Sequence, residues 1–162
     1  MIVLGIDPGT IAMGYGLLED ADEPRALAYG ALTAPARFPV DRRLSELYKK
    51  LLDVLGLYQP AEVAIEEPFV GQNIRSALAV GRAQAIAILA AANQGLPIFY
   101  YTPAQVKHQV TDFGGSSKEQ VQEMIRLQLR LEELPEPFDA ADALAVALCH
   151  LRQSRLNRLL SE

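Results

Sequence analysis

The amino-acid sequence predicts an α/β fold: a five-stranded mixed sheet flanked by helices, with strands one to three in an antiparallel meander. Three observations carry this prediction. Five short runs have strand character; the later ones alternate with segments of helical period; and the first three are joined by stretches too short to hold a crossover helix. Half of the 162 residues are hydrophobic, enough to bury one core and too few for two ordinary domains. A single domain over residues 1–162 is therefore expected.

The first strand is Ile2-Val3-Leu4-Gly5-Ile6, apolar throughout, as a strand buried on both faces reads. It ends in Asp7, and Pro8-Gly9 then turns the chain, Pro presetting φ and Gly permitting a left-handed backbone. Met13–Leu18 and Arg25–Leu32 are the next two strands, separated by the polar stretch Glu19–Pro24. From Val40 to Tyr58 apolar residues recur at three or four, which predicts an amphipathic helix ended by Gln59-Pro60. Ala61–Ile65 is a fourth strand, and it too terminates in carboxylates, Glu66 and Glu67.

Gln72–Asn93 reads as a long helix crowded with Ala and Gly, stopped by Gly95-Leu96-Pro97. Ile98–Tyr101 is the fifth strand, and Thr102-Pro103 caps a short helix through Val110. Gly114-Gly115 is the most permissive point in the chain interior. Ser116-Ser117-Lys118-Glu119 then forms a capping box for a helix expected to reach about Leu131, and a last helix is expected from about Phe138 to Leu151 or beyond.

Three acidic features stand out. Asp7 and Glu66 close apolar strands, and Asp139 and Asp142 lie three apart in a helix, so both can face one point. Each has a plainer explanation: Asp7 can cap its own turn, and two acids in a first helical turn complement the helix dipole. Their coincidence favours chemistry. Four carboxylates gathered at one sheet edge repel one another unless cations lie among them. Oxygen-only donors suit Mg²⁺, whereas zinc would call on the His and Cys this chain nearly lacks. Two such ions can bracket a phosphodiester and activate a water.

The net charge of −5 argues at first against nucleic acid, but its distribution reverses that reading. Residues 71–130 carry 6 basic and 3 acidic side chains, so the middle of the chain is positive. Cys149 alone cannot form an internal disulfide and fits a reducing compartment. No signal peptide and no apolar run long enough to span a bilayer is evident, which predicts a soluble, cytoplasmic protein without a membrane partner.

Together, Leu4-Gly5-Ile6-Asp7-Pro8-Gly9-Thr10, Ala64-Ile65-Glu66-Glu67-Pro68-Phe69, Gln105-Val106-Lys107, Ser117-Lys118 and Asp139-Ala140-Ala141-Asp142-Ala143-Leu144-Ala145 resemble the RuvC-type Holliday-junction resolvases. The likeness covers nearly the whole chain. It implies a ribonuclease-H-like fold and a homodimer. It implies paired symmetric nicking of four-way DNA junctions in recombination and repair, leaving 5′-phosphate and 3′-hydroxyl ends. The implied cofactor is Mg²⁺, two ions per site, with Mn²⁺ as the alternative, and the implied partner is a branch-migration helicase complex of RuvA and RuvB type. The family's catalytic and metal-binding tetrad matches Asp7, Glu66, Asp139 and Asp142, and Lys107 and Lys118 match its functional lysines. Strand alternation and family position favour Glu66 over Glu67.

Other residues carry competing readings. A lysine in a first helical turn opposes the dipole, so Lys118 makes sense beside an anion, or else as a solvated residue. Lys107 is a phosphate contact or a lysine snorkelling from a buried stem. Phe69 is a base-stacking residue or an apolar anchor for its loop. His108 and His150 read as surface or packing residues, and Arg152, Arg155 and Arg158 as a solvated face. The Ala-rich helix is the expected dimer seam, with Ala83 as an outward small residue. Two rivals remain. Gly-Ile-Asp-x-Gly-Thr turns also cradle phosphate in ATPase and kinase lobes, although 162 residues leave no room for a second lobe; a non-catalytic junction-binding module is the other.

Overall fold

The computed structural model describes residues 1–67, 71 and 73–162. Strands β1 (Ile2–Asp7), β2 (Ala12–Glu19), β3 (Arg25–Thr33), β4 (Glu62–Glu66) and β5 (Ile98–Tyr101) form one sheet in the order β3-β2-β1-β4-β5. The first three strands pair antiparallel and β1, β4 and β5 pair parallel, which is the mixed sheet the sequence predicts. The helices are α1 (Val40–Tyr58), α2 (Ile74–Asn93), α3 (Pro103–Thr111), α4 (Lys118–Gln128) and α5 (Phe138–Ser161).

Period-two alternation assigns the two faces. Leu4, Ile6, Met13, Leu17, Val63 and Ile65 pack with Leu47, Leu51 and Leu55 of α1 and with Ala83 and Ala87 of α2. Val3, Leu18 and Ala64 pack instead with α5, through Leu144, Leu148 and Leu151. Asp7 and Glu66 are in phase with Val3 and Ala64, so the strands aim both carboxylates at the α5 side. Glu67 is out of phase. Register then sets the pair abreast, because Ile6 lies opposite Ile65 across the parallel β1–β4 ladder.

Helix α5 rests directly on strand backbone. A Cβ on Gly5 would stand 2.1 Å from the Ala143 carbonyl oxygen, and one on Gly14 would stand 2.0 Å from that of Asp139. Hydrogen in place of a side chain is what lets the start of α5, with Asp139 and Asp142, come down onto the end of the sheet.

Several expectations need correction. Gly9 does not take a left-handed conformation; its hydrogen is required because a Cβ would meet the Ala12 carbonyl oxygen at 2.1 Å. Helix α4 stops at Gln128 instead of Leu131. Arg130 adopts φ 54°, and its amide and that of Leu131 bond back to Leu127 and Arg126, a Schellman stop built without glycine. The arginines of α5 are engaged: Arg155 and Arg158 pair with Asp20, and Arg152 reaches the Gln109 carbonyl and the Gln128 side chain. Ala83 is not outward but fully buried within its own chain. The outward face of α2 carries Leu78, Ala85, Leu89 and Ala92, with Arg75 and Arg82 exposed on the same side. By length and a mean hydropathy of 1.3, α2 is also apolar enough to cross a membrane, contrary to the expectation of no such run. Part of that apolar surface is used internally, where Ala83, Ala87, Ala90 and Ala91 pack within the fold.

Candidate active site

One cavity of about 320 Å³ at the end of β1 and β4 is lined by Asp7, Glu66, Lys107, Lys118, Asp139 and Asp142. All six residues come from separate stretches of sequence except the α5 pair, so the fold alone brings them together. Phe69 lies outside the described residues.

Each side chain is placed by local structure. Helix α3 begins at Thr102, whose hydroxyl accepts from the Gln105 amide at 3.1 Å while the Gln105 side chain accepts from the Thr102 amide at 2.9 Å. That reciprocal cap with Pro103 fixes the first turn, and Lys107 follows about one turn on. The same device repeats at α4, one residue later than the expected Ser116–Glu119 box: Ser117 and Gln120 cap each other and Lys118 is the first helical residue. Helix α5 starts differently. Pro137 precedes it and supplies no side-chain cap, so neither Asp139 nor Asp142 is spent as an N-cap. Both are left to face the cavity.

The electrostatics fit a site short of positive charge. Burial first, then the negative charges of Glu66, Asp142 and Asp139, push Asp7 up to about 9, against a smaller opposing pull from Lys118. Glu66 is pushed up to about 7, again by burial and then by Asp142, with Lys107 and Lys118 pulling it down. Asp142 rises to about 6, chiefly through burial, with Lys118 opposing. Oxygen donors held this way are suited to hard divalent cations, whose charge would favour the ionised forms. Among the described residues no three His, Cys, Asp or Glu side chains are gathered closely enough to hold one ion unaided. The fit therefore rests on donor chemistry, with water and phosphate oxygens completing the shell as Mg²⁺ usually requires.

Sequence reasoning missed a second polar cluster, on the same face of the sheet. His150 is buried, with Nε2 at 2.7 Å from Glu62 Oε2 and Nδ1 at 2.8 Å from the Tyr101 hydroxyl. It ties α5 to β4 and β5. The available signal was weak: one histidine inside an apolar helical run, with its partners 88 and 49 residues away.

Residues 3–150 match the family described as Crossover junction endodeoxyribonuclease RuvC. A protein of that name from Dehalococcoides mccartyi is 53% identical over 100% of this chain and 98% of its own length. The chain belongs to the RuvC family. A solved structure of Thermus thermophilus RuvC in complex with Holliday junction substrate superposes with a TM-score of 0.89 at 35% identity, covering 97% of this chain and 96% of that one. The yeast mitochondrial Holliday junction resolvase Ydc2, 16% identical with a TM-score of 0.61 over 96% of this chain and 82% of its own, shares the fold. The ribonuclease-H-like arrangement is thus common to RuvC and to Ydc2.

Proposed function

We propose that residues 1–162 act as a single nuclease domain, a cytoplasmic crossover junction endodeoxyribonuclease that resolves four-way DNA junctions by paired nicks. The observation that carries the reading is one cavity holding four carboxylates and two lysines, in a chain with full-length RuvC relatives. Asp7, Glu66, Asp139 and Asp142 would hold divalent cations, two Mg²⁺ per site or Mn²⁺ in their place. When bound, such ions polarise the phosphodiester and lower the pKa of a nucleophilic water.

The protein's own groups do the rest. Rigid strand ends hold Asp7 and Glu66 abreast, while the capped helix starts hold the lysines, so little reorganisation is left for the reacting geometry. Lys118 sits at a helix N-terminus, where unpaired amides and the dipole favour a phosphate. Lys107 adds a second cation to the same cavity. Both offset the repulsion between the carboxylate cluster and DNA.

A four-way junction needs two like cuts related by a two-fold axis, and one chain offers one carboxylate cavity. A homodimer supplies the second, and the outward face of α2 is the proposed seam. A branch-migration complex of RuvA and RuvB type is the proposed partner upstream of cleavage. The function is tested by incubating the protein with an end-labelled synthetic junction and a matched linear duplex, with Mg²⁺ and with chelator. Symmetric nicks in the junction alone, dependent on the cation, are expected; equal cutting of the linear duplex would overturn the reading.

A further inference from the structure

Helices α3 and α4, which carry Lys107 and Lys118, are joined by a loop that leaves the ring of Phe113 64% exposed. The loop is stapled by hydroxyls. Thr111 Oγ1 lies 2.7 Å from the Lys107 carbonyl and 2.5 Å from the buried Ser116 Oγ, and Ser116 donates to the Phe113 carbonyl at 2.8 Å. The Phe113 amide in turn donates to Thr111 Oγ1 at 3.3 Å. The ring lies over Gly115 so closely that a Cβ there would stand 2.8 Å from Phe113 Cζ. Gly115 is therefore a seat for the aromatic side chain. An exposed apolar ring is being held in place, not left to find shelter.

Beside the ring runs a groove of about 460 Å³, lined by Phe113, Met124 and Thr111 and by Glu119, Gln120 and Glu123 of α4. The first turn of α4 divides this groove from the carboxylate cavity: Lys118 lines one, and Glu119 and Gln120 line the other. A strand with a phosphate at Lys118 would bring its neighbouring base to the groove. The chemistry suits a base and not a second phosphate. The groove is mostly apolar and contains no Lys or Arg in its lining; of its two glutamates, Glu123 is paired with Arg126 at 2.6 Å, and Glu119 can accept from an exocyclic amine.

We propose that Phe113 is a stacking platform for an unpaired nucleobase next to the phosphate cleaved in the carboxylate cavity. The inference rests on the proposed nuclease reading and adds a specificity element to it. A base stacked inside linear duplex is out of reach, whereas a junction or an opened strand can present one, so the contact favours branched DNA.

The test uses synthetic junctions carrying 2-aminopurine at successive positions around the mapped nick, bound with Mg²⁺ to full-length protein made inactive by Asp7→Asn. With Phe113 present, fluorescence at one of these positions should be quenched. Phe113→Trp should keep the quenching. Phe113→Leu and Phe113→Ala should lose it and weaken junction binding roughly tenfold, the size of one lost stack, with linear-duplex affinity unchanged. Thermal midpoints of all variants should match, since the ring is exposed; if the Ala variant fails to fold, the Trp and Leu pair decides. Quenching and affinity retained in Phe113→Leu would make the residue an apolar anchor and overturn the proposal. So would unchanged DNA readouts combined with lost binding to an added protein partner. Absence of nicking by the unmodified protein would instead mark failure of the nuclease reading itself.

Discussion

Among individual residues, Asp7 is the most perturbed group. Its carboxyl is pushed up to about 9 by burial and by its acidic neighbours, and Glu66 and Asp142 follow at about 7 and 6. These folded-state values lie above those of the unfolded chain, near 4, so the folded protein binds more protons over the interval. Stability therefore falls as pH rises. In chelator, the unfolding midpoint should decline from about pH 5 to pH 9, and Mg²⁺ should raise it, more at pH 8 than at pH 6. At pH 8 we expect a gain of more than about 4 °C, corresponding to roughly 1–2 kcal/mol for a chain of this size. Differential scanning calorimetry with and without Mg²⁺ checks this; a gain independent of pH would place the ion away from these carboxylates.

Strand phase separates Glu66 from Glu67. Glu66 lines the carboxylate cavity, whereas Glu67 is exposed and borders only an adjoining one, which it shares with Asp7, Glu66 and with Ser76 and Ala77 of α2. Glu66→Gln should lower the nicking rate by about 10²-fold or more, on the scale of losing one group that stabilises a transition state, while Glu67→Gln should leave it within roughly threefold. Single-turnover rates on a labelled junction distinguish them, and equal losses would contradict the phase argument.

At the level of elements, the glycines of β1 and β2 set the height of α5. A methyl group at Gly14 would meet the Asp139 carbonyl oxygen at 2.0 Å, so the helix start must move. Gly14→Ala should cost about 1–3 kcal/mol, as overpacking does, and should cut nicking more than stability alone explains. Gly56 is the contrast. It lies in α1 with nothing within 4 Å of an added Cβ, and Gly56→Ala should stabilise by roughly 0.5–1 kcal/mol with no change in nicking. Urea melts and rates for the two variants test the pair; an unaffected Gly14→Ala would show that α5 need not sit so low.

These glycines mark the limit of what could be read in the sequence. The five strands, the meander and the helix that carries Asp139 and Asp142 were legible because period and turn signals are local. So was the coincidence of acids at strand ends. The depth of α5, the phase of α2 and the pairing of His150 with Glu62 were not, since each depends on a surface supplied from a distant stretch. The phase of α2 was hidden for a further reason: alanines occupy nearly every side of that helix, so the inward stripe of Ala83, Ala87, Ala90 and Ala91 does not stand out from the rest.

For the molecule as a whole, the question is how one cavity serves a two-fold symmetric substrate. Leu78 and Leu89 on the outward face of α2 are 53% and 50% exposed, a pattern suited to a self-complementary helix seam. Leu89→Glu should place a carboxylate in the proposed seam and yield monomers at micromolar concentration, with a normal fold because the side chain is half in solvent. Sedimentation velocity reads the outcome, and a dimer that survives Leu89→Glu would move the seam elsewhere.

The most direct test asks whether cleavage, and not merely recognition, depends on the carboxylate cavity. Asp7→Asn removes one charge from the end of β1 and leaves Lys107 and Lys118, the proposed DNA contacts, in place. Gel shift and nicking on one labelled four-way junction, measured with the same preparation in Mg²⁺, should give binding within about threefold of the unmodified protein and nicking reduced at least roughly 10³-fold. Full-rate nicking by Asp7→Asn would contradict the account.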